Sequence, residues 1–381
     1  MNILKLFALS SAVALLVACA QPAAPPAPAP EEPQAEVEAE ATQQQEQESE
    51  GFQLAIITDT SGVNDRSFNQ GSWEGIQRAA TTLGLNAHHF TANANSDPDF
   101  LNTIDLALSG GAQLIVMPGF LLQTAAYQAQ DIYPHINFVL VDGLPHNPQT
   151  GETRIEPNAV ALIYAEEQAG FLAGYSAVME GHRALGFMGG VAVPQVVHFG
   201  YGFLQGAQHA AQALELAPGA VTVHYLYTNT FSPSPEVQTT AASWFNVAGV
   251  EVIFAAGGSM GLSVMAAAEA NNGLVIGVDV DQYHESPAVL TSALKQLGNA
   301  VYAAILDWYE GEIEGRESWM FDATNDGIGL PMQTSRFQNF TYAQYEEILG
   351  QLSEGTIHVI RDHALSVEDL GLDLLDITVL N

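Results

Sequence analysis

A chain of 381 residues with a formal net charge of −34 and only nine Lys or Arg residues narrows its partners before any motif is read. Phosphate backbones are held by clustered cations, so a nucleic-acid partner is excluded. The single cysteine excludes an internal disulfide.

The chain begins with a short n-region at 1–5 and an apolar run at 6–17. That run is too short to cross a bilayer and has the proportions of a secretory signal. Small residues lead into the only cysteine at Leu16-Val17-Ala18-Cys19, a pattern that resembles the bacterial lipobox. Residues 1–18 are therefore expected to be a lipoprotein signal peptide, with Cys19 as the lipidated residue and the cell membrane's outer side as the location. Residues 19–51 are rich in Pro, Ala, Glu and Gln. Such a segment buries too little apolar surface to offset its ordering entropy, so it reads as a disordered tether.

From Phe52 onward the composition becomes globular, and some 330 residues suit two lobes. Apolar, strand-length runs fall at 53–58, 87–90, 114–117, 138–141, 159–163, 184–188, 221–227, 252–256 and 274–278. Helical stretches lie between them at 68–83, 97–109, 121–133, 166–180, 200–214, 235–248 and 260–270. Continuous apolar strands alternating with helices predict α/β architecture with parallel sheets covered on both faces. So many units exceed one open sheet, and two doubly wound sheets solve the excess.

In such sheets ligands sit beyond the carboxyl ends of the strands. Polar and glycine-rich clusters occur there: Thr58-Asp59-Thr60-Ser61-Gly62, Pro118-Gly119-Phe120, Asp142-Gly143, Gly257-Gly258-Ser259 and Asp279-Val280-Asp281. They converge on one cleft if the sheets face each other. Around the first helix start, Phe68 projects an aromatic ring and Asn69 offers a donor and an acceptor. The alternative makes Phe68 a hydrophobic staple and Asp65 or Ser67 an N-cap.

The series Ile57-Thr58-Asp59, Val63-Asn64-Asp65-Arg66-Ser67-Phe68-Asn69-Gln70 and Trp73-Glu74-Gly75 is similar to the opening motif of the basic membrane protein (BMP) family of substrate-binding lipoproteins. The resemblance continues in order through Gly186-Phe187-Met188-Gly189-Gly190, Ala256-Gly257-Gly258, Gly277-Val278-Asp279-Val280-Asp281-Gln282-Tyr283 and Val289-Leu290-Thr291-Ser292-Ala293-Leu294-Lys295. It implies a two-lobed periplasmic-binding-protein-like fold of type I, with a three-crossover hinge. It also implies a purine nucleoside as ligand and an ABC transporter permease as partner. Residues 52–165 with 296–325 are expected to form lobe 1, and 166–295 with 326–381 lobe 2.

The same resemblance implies that Phe68 and Phe199 stack on the base. Asp59, Asn69 and Asp142 match first-lobe hydrogen-bonding positions, and Gly257, Asp279 and Lys295 match positions around the ribose. The chemistry agrees. Two aromatic faces suit a flat base, a carboxylate accepts from vicinal hydroxyls, and Lys295 balances buried acids. Lysine occurs only at Lys5 and Lys295, so a surface role for Lys295 is the weaker alternative. Asp279 could instead close a strand-end turn, and Phe199 could belong to the core beside Val196, Val197 and Phe203. Departures from the family pattern lie at Ala192-Val193-Pro194-Gln195, which leaves the base-edge contacts open, and at Glu166-Glu167-Gln168-Ala169-Gly170, to which no ligand role is given.

Neighbouring readings keep the fold with a sugar or signalling molecule as ligand, or make the chain a surface receptor or adhesin. Gly200-Tyr201-Gly202-Phe203-Leu204-Gln205-Gly206 mimics a dinucleotide fingerprint but follows no strand, so it reads as close helix packing. None of the 11 histidines forms a paired ligand motif, and His88 and His89 would point apart on a strand, so no metal is expected. No nucleophile elbow occurs, and an enzyme is not expected. No cofactor is expected either.

Overall fold

Alternation along the apolar runs builds two sheets, each with a core on both faces. The computed structural model describes residues 51–380 apart from 312 and 314. The expected signal peptide, Cys19 and the tether to residue 50 lie outside the described residues.

The first strands and helices alternate as far as β4, which β5 follows without a helix: β1 (Leu54–Thr58), α1 (Phe68–Leu83), β2 (Ala87–Thr91), α2 (Asp97–Ser109), β3 (Leu114–Pro118), α3 (Gln123–Ile132), β4 (Asn137–Val141) and β5 (Ala159–Tyr164). The second series is α4 (Glu166–Glu180), β6 (Ala184–Gly189), α5 (Pro194–Ala213), β7 (Val221–Tyr227), α6 (Pro235–Ser243), β8 (Val252–Ala256), α7 (Gly261–Asn271), β9 (Leu274–Asp279) and β10 (Val289–Lys295). The chain ends with α8 (Leu297–Glu310), β11 (Glu317–Phe321), β12 (Ile328–Gly329), α9 (Tyr342–Ser353) and β13 (Leu375–Val379).

One sheet has the order β11-β5-β4-β3-β1-β2, and the other β12-β10-β9-β8-β6-β7-β13. Every pairing is parallel except β10 with β12. The chain therefore passes between sheets three times: after β5, after β10 and after β11. This is the type I, three-crossover α/β architecture that the family resemblance implies.

Period-two side-chain geometry explains the layering. In β1, Leu54 and Ile56 join α1 and α8 in one core, while Ala55 and Ile57 join α2 and α3 in another. In β8, Val252 and Phe254 face α4 and α5, while Ile253 and Ala255 face α6 and α7. Burying a large apolar side chain contributes about 1.5–3 kcal/mol, so these four layers carry most of the stability.

The contact between α4 and α5 is made of glycines. A methyl group at Gly174 would run into the Phe203 carbonyl, and one at Gly206 into the Phe171 carbonyl. The glycine series from 200 to 206 is thus helix packing, as read from sequence. Its helix starts earlier than expected, because Pro194 occupies the first turn, where a missing N–H is harmless. Phe199 consequently sits on a helix. The expected separation of His88 and His89 is corrected: their rings lie 5.7 Å apart at 10°. They belong to β2, the outermost strand, where both side chains are exposed and can turn to the same edge.

Candidate ligand-binding site

Two aspartates at matching places in the two sheets frame the site. Asp142 follows β4, and Asp279 ends β9. Both adopt left-handed backbone, with φ of 63° and 69°, and both are 5% exposed. Aspartate tolerates that region better than most residues, and such geometry concentrates at functional sites. Between them lies Lys295, at the end of β10 and also 5% exposed. Its Nζ donates to Asp142 Oδ2 at 2.7 Å and is 3.3 Å from Asp279 Oδ1.

This ammonium also faces two rings, 4.8 Å from the Phe68 centroid and 5.0 Å from that of Phe199. Both distances fall within cation–π range. Phe68 opens α1 and Phe199 lies on α5, so the rings come from opposite sides of the cleft. Phe199 is only 2% exposed and meets Phe254 edge-on at 5.7 Å. It is a core residue that also lines the cavity.

A second polar cluster sits at the α1 entrance. Asp65 caps the helix, accepting from the backbone N–H groups of Ser67, Asn69 and Gln70. Ser67 makes no cap; its hydroxyl donates to Asp279 Oδ2 at 2.7 Å. Asn69 Nδ2 donates to Asp59 Oδ1 at 2.9 Å and to the Gly62 carbonyl at 3.0 Å. Its donors are spent on the protein, which leaves its amide oxygen for the cavity. Gly257, after β8, packs against Gly190 so closely that a Cβ would come within 2.9 Å of its Cα.

All eight residues expected from sequence, namely Asp59, Phe68, Asn69, Asp142, Phe199, Gly257, Asp279 and Lys295, line one cavity. Phe120 and Gln195, which the sequence placed near the cleft without a role of their own, are in the same wall, and so is Phe231, which sequence reasoning missed. Gln195 donates from Nε2 to the Asp142 carbonyl at 2.7 Å, across from α5 to the β4 end. Ser67 was recognisable only as a cap, since its contact with Asp279 depends on tertiary folding.

Burial alone would lower the proton affinity of Lys295, but Asp142, Asp279 and Glu166 outweigh it and hold the ammonium above its ordinary value. Burial pushes Asp142 well up, aided by Glu166 and opposed by Lys295. Glu166 is likewise raised by burial. Burial thus makes Asp142 and Glu166 hold a proton more readily than ordinary carboxyls, and Lys295 opposes that for both. Glu166, given no ligand role from sequence, supports the site from behind.

Behind it, Glu166, Glu167 and His198 bring ligand-type atoms within 4.8 Å of one another. Arg361 already supplies a cation there, 3.7 Å from Glu166 and 3.6 Å from Glu167. Burial and Arg361 push His198 down to about 4, so its imidazole is neutral near pH 7. Among the described residues no helix is long and apolar enough to cross a membrane.

Two α/β lobes whose strand ends enclose one polar and aromatic cavity define a solute-binding protein of the cleft-closing kind. Residues 52–361 match the family described as ABC transporter substrate-binding protein PnrA-like, and the chain belongs to that family. As such it takes a small-molecule ligand and works with a transporter permease. It is 28% identical over 304 residues to the ABC transporter nucleoside-binding protein BmpA of Lactococcus lactis subsp. cremoris, covering 74% of this chain and 82% of that one. It is 27% identical to an uncharacterised lipoprotein of Pyrococcus horikoshii, over 80% of this chain and 78% of the other. A solved ABC solute-binding protein from Aeropyrum pernix has the same fold, with a TM-score of 0.65, 24% identity and coverage of 84% and 90%.

Proposed function

We propose that the chain captures a nucleoside, most suitably a purine nucleoside, in the cavity between its lobes and delivers it to an ABC permease. The observation that carries this reading is the pairing of two opposed phenyl rings with the Asp142–Lys295–Asp279 group in one cavity. A flat base stacks between rings, each stack contributing about 1–3 kcal/mol by analogy with single-strand binders. The sugar hydroxyls donate to the carboxylates and accept from the ammonium. A nucleotide fits poorly, because Lys295 is the one cation lining the cavity among the described residues and two acids already hold it. The similarity to a nucleoside-binding protein supports the same ligand class.

In this reading the lobes are 52–165 with 296–325, and 166–295 with 326–381, and the three passages between sheets support those limits. Cys19 carries the lipid, and the tether lets the lobes reach the permease. Catalysis has no part in the proposal.

Calorimetric titration with inosine, guanosine, adenosine, ribose and free bases tests it. Nucleosides should bind far more tightly than ribose or free base alone. Phe68→Ala should weaken nucleoside binding by about tenfold or more, the equivalent of one stack, and change ribose binding little. Tight binding of a sugar with none of the nucleosides would sink the reading.

A further inference from the structure

We propose that Gln195 is a specificity-determining residue, whose amide oxygen accepts a hydrogen bond from an N–H or O–H of the bound ligand. The inference rests on the nucleoside reading and adds what the ligand must present at one point of the wall.

The amide orientation is fixed by chemistry. The Asp142 carbonyl only accepts, so the group facing it at 2.7 Å must be Nε2, and Oε1 takes the other position. That bond crosses the cleft from the start of α5 to the residue after β4. Gln195 Oε1 is buried and has no hydrogen-bond partner among the described residues. An unmade bond at a buried acceptor costs about 1–3 kcal/mol, so the site calls for a donor there. The flanking Val193 and Val196 side chains are apolar and supply none. The remaining neighbour is whatever fills the cavity that Gln195 lines.

An acceptor so placed discriminates in one direction. It favours a ligand edge bearing a donor and disfavours the same edge stripped of it, because the amide oxygen then stays unpaired. In a nucleoside the donor is either an N–H of the base or a hydroxyl of the sugar.

The test compares the full wild-type chain with Gln195→Met, which keeps the length and removes both polar atoms. The probes are inosine, purine riboside (no N1–H and no exocyclic amine), and the 2′-, 3′- and 5′-deoxy forms of inosine. The wild type should bind inosine about tenfold or more tightly than one of these analogues. Gln195→Met should lose that factor for inosine while keeping its affinity for that analogue. Convergence with purine riboside assigns the donor to the base, and convergence with a deoxy form assigns it to the sugar. Equal weakening of every probe, or of none, overturns the inference while leaving the nucleoside reading intact. Failure of the wild type to bind any probe overturns both. If Gln195→Met does not fold, Gln195→Leu serves, since it also removes the amide oxygen: it should erase the wild-type ranking, and a preserved ranking overturns the inference.

Discussion

Lys295 joins both halves of the cleft and is also what makes their burial tolerable. It bonds an acid from each sheet, at 2.7 and 3.3 Å, in a site with little solvent. Removing one partner of a buried ionic group leaves uncompensated charge, which costs about 3–5 kcal/mol. Lys295→Met should therefore lower the unfolding free energy by about that amount near neutral pH, measured in urea. The deficit should shrink as pH falls, because Asp142 already binds a proton more readily than an ordinary aspartate. A loss below about 1 kcal/mol near neutral pH would mean that the carboxyls are protonated in the native site and need no counter-ion. Lys295 was legible because it matches a position of the family motif, and the scarcity of lysine weakened the surface alternative. Glu166 and Gln195 were not, because neither spacing nor periodicity reveals a contact between residues tens of positions apart. Phe199 was legible only as a pair of alternatives; the structure buries it in the core, where it also lines the cavity.

Among the elements, the entrance to α1 is where sequence and structure differ most usefully. The sequence allowed Asp65 or Ser67 as the cap. Asp65 takes that role, and Ser67 turns to Asp279. Burial raises Asp65 to about 6 from 3.8, against the lowering effect of its backbone bonds. Between these values the native state holds a proton that the unfolded chain has released. This residue's contribution to stability is thus complete below about pH 4 and lost as pH rises through about 6, by up to about 3 kcal/mol. Unfolding curves of the wild type and Asp65→Asn across that range should show the wild type losing ground to the variant as pH increases. A constant difference would place the Asp65 proton elsewhere. The nine strands up to β9 were legible to within two residues at either end, since most are buried apolar runs; β2, largely exposed, was legible from its place between two helices. Of the strands after them, β12 has two residues and β11 is largely exposed, so neither carries a strong pattern, whereas β10 is a buried run that was quoted only as a motif. The true start of α5 was masked by the glycines from 200 onward, which draw attention to packing and away from Pro194.

At the scale of the whole molecule, the three-crossover topology places strand ends from both sheets around one cavity, and so turns local loop chemistry into a single site. The same molecule carries a net charge of −34, with nine Lys and Arg residues in all. Several of these cations are already committed, Arg66 to Glu285, Arg154 to Asp131 and Arg361 to Glu166 and Glu167. The remaining acids repel one another across the surface, which opposes the compact state. Screening weakens that repulsion, since the Debye length falls from about 10 Å at 0.1 M salt to about 3 Å at 1 M. The buried Lys295 group is shielded from solvent and responds little. Raising potassium chloride over that range should increase the thermal midpoint near neutral pH by roughly 2 °C, or about 1–2 kcal/mol. Near the isoelectric point of about 4.2 the net repulsion disappears, and with it most of the gain. Equal salt responses at the two pH values would show that chloride acts through general solvent effects, and that surface repulsion is not what limits this fold.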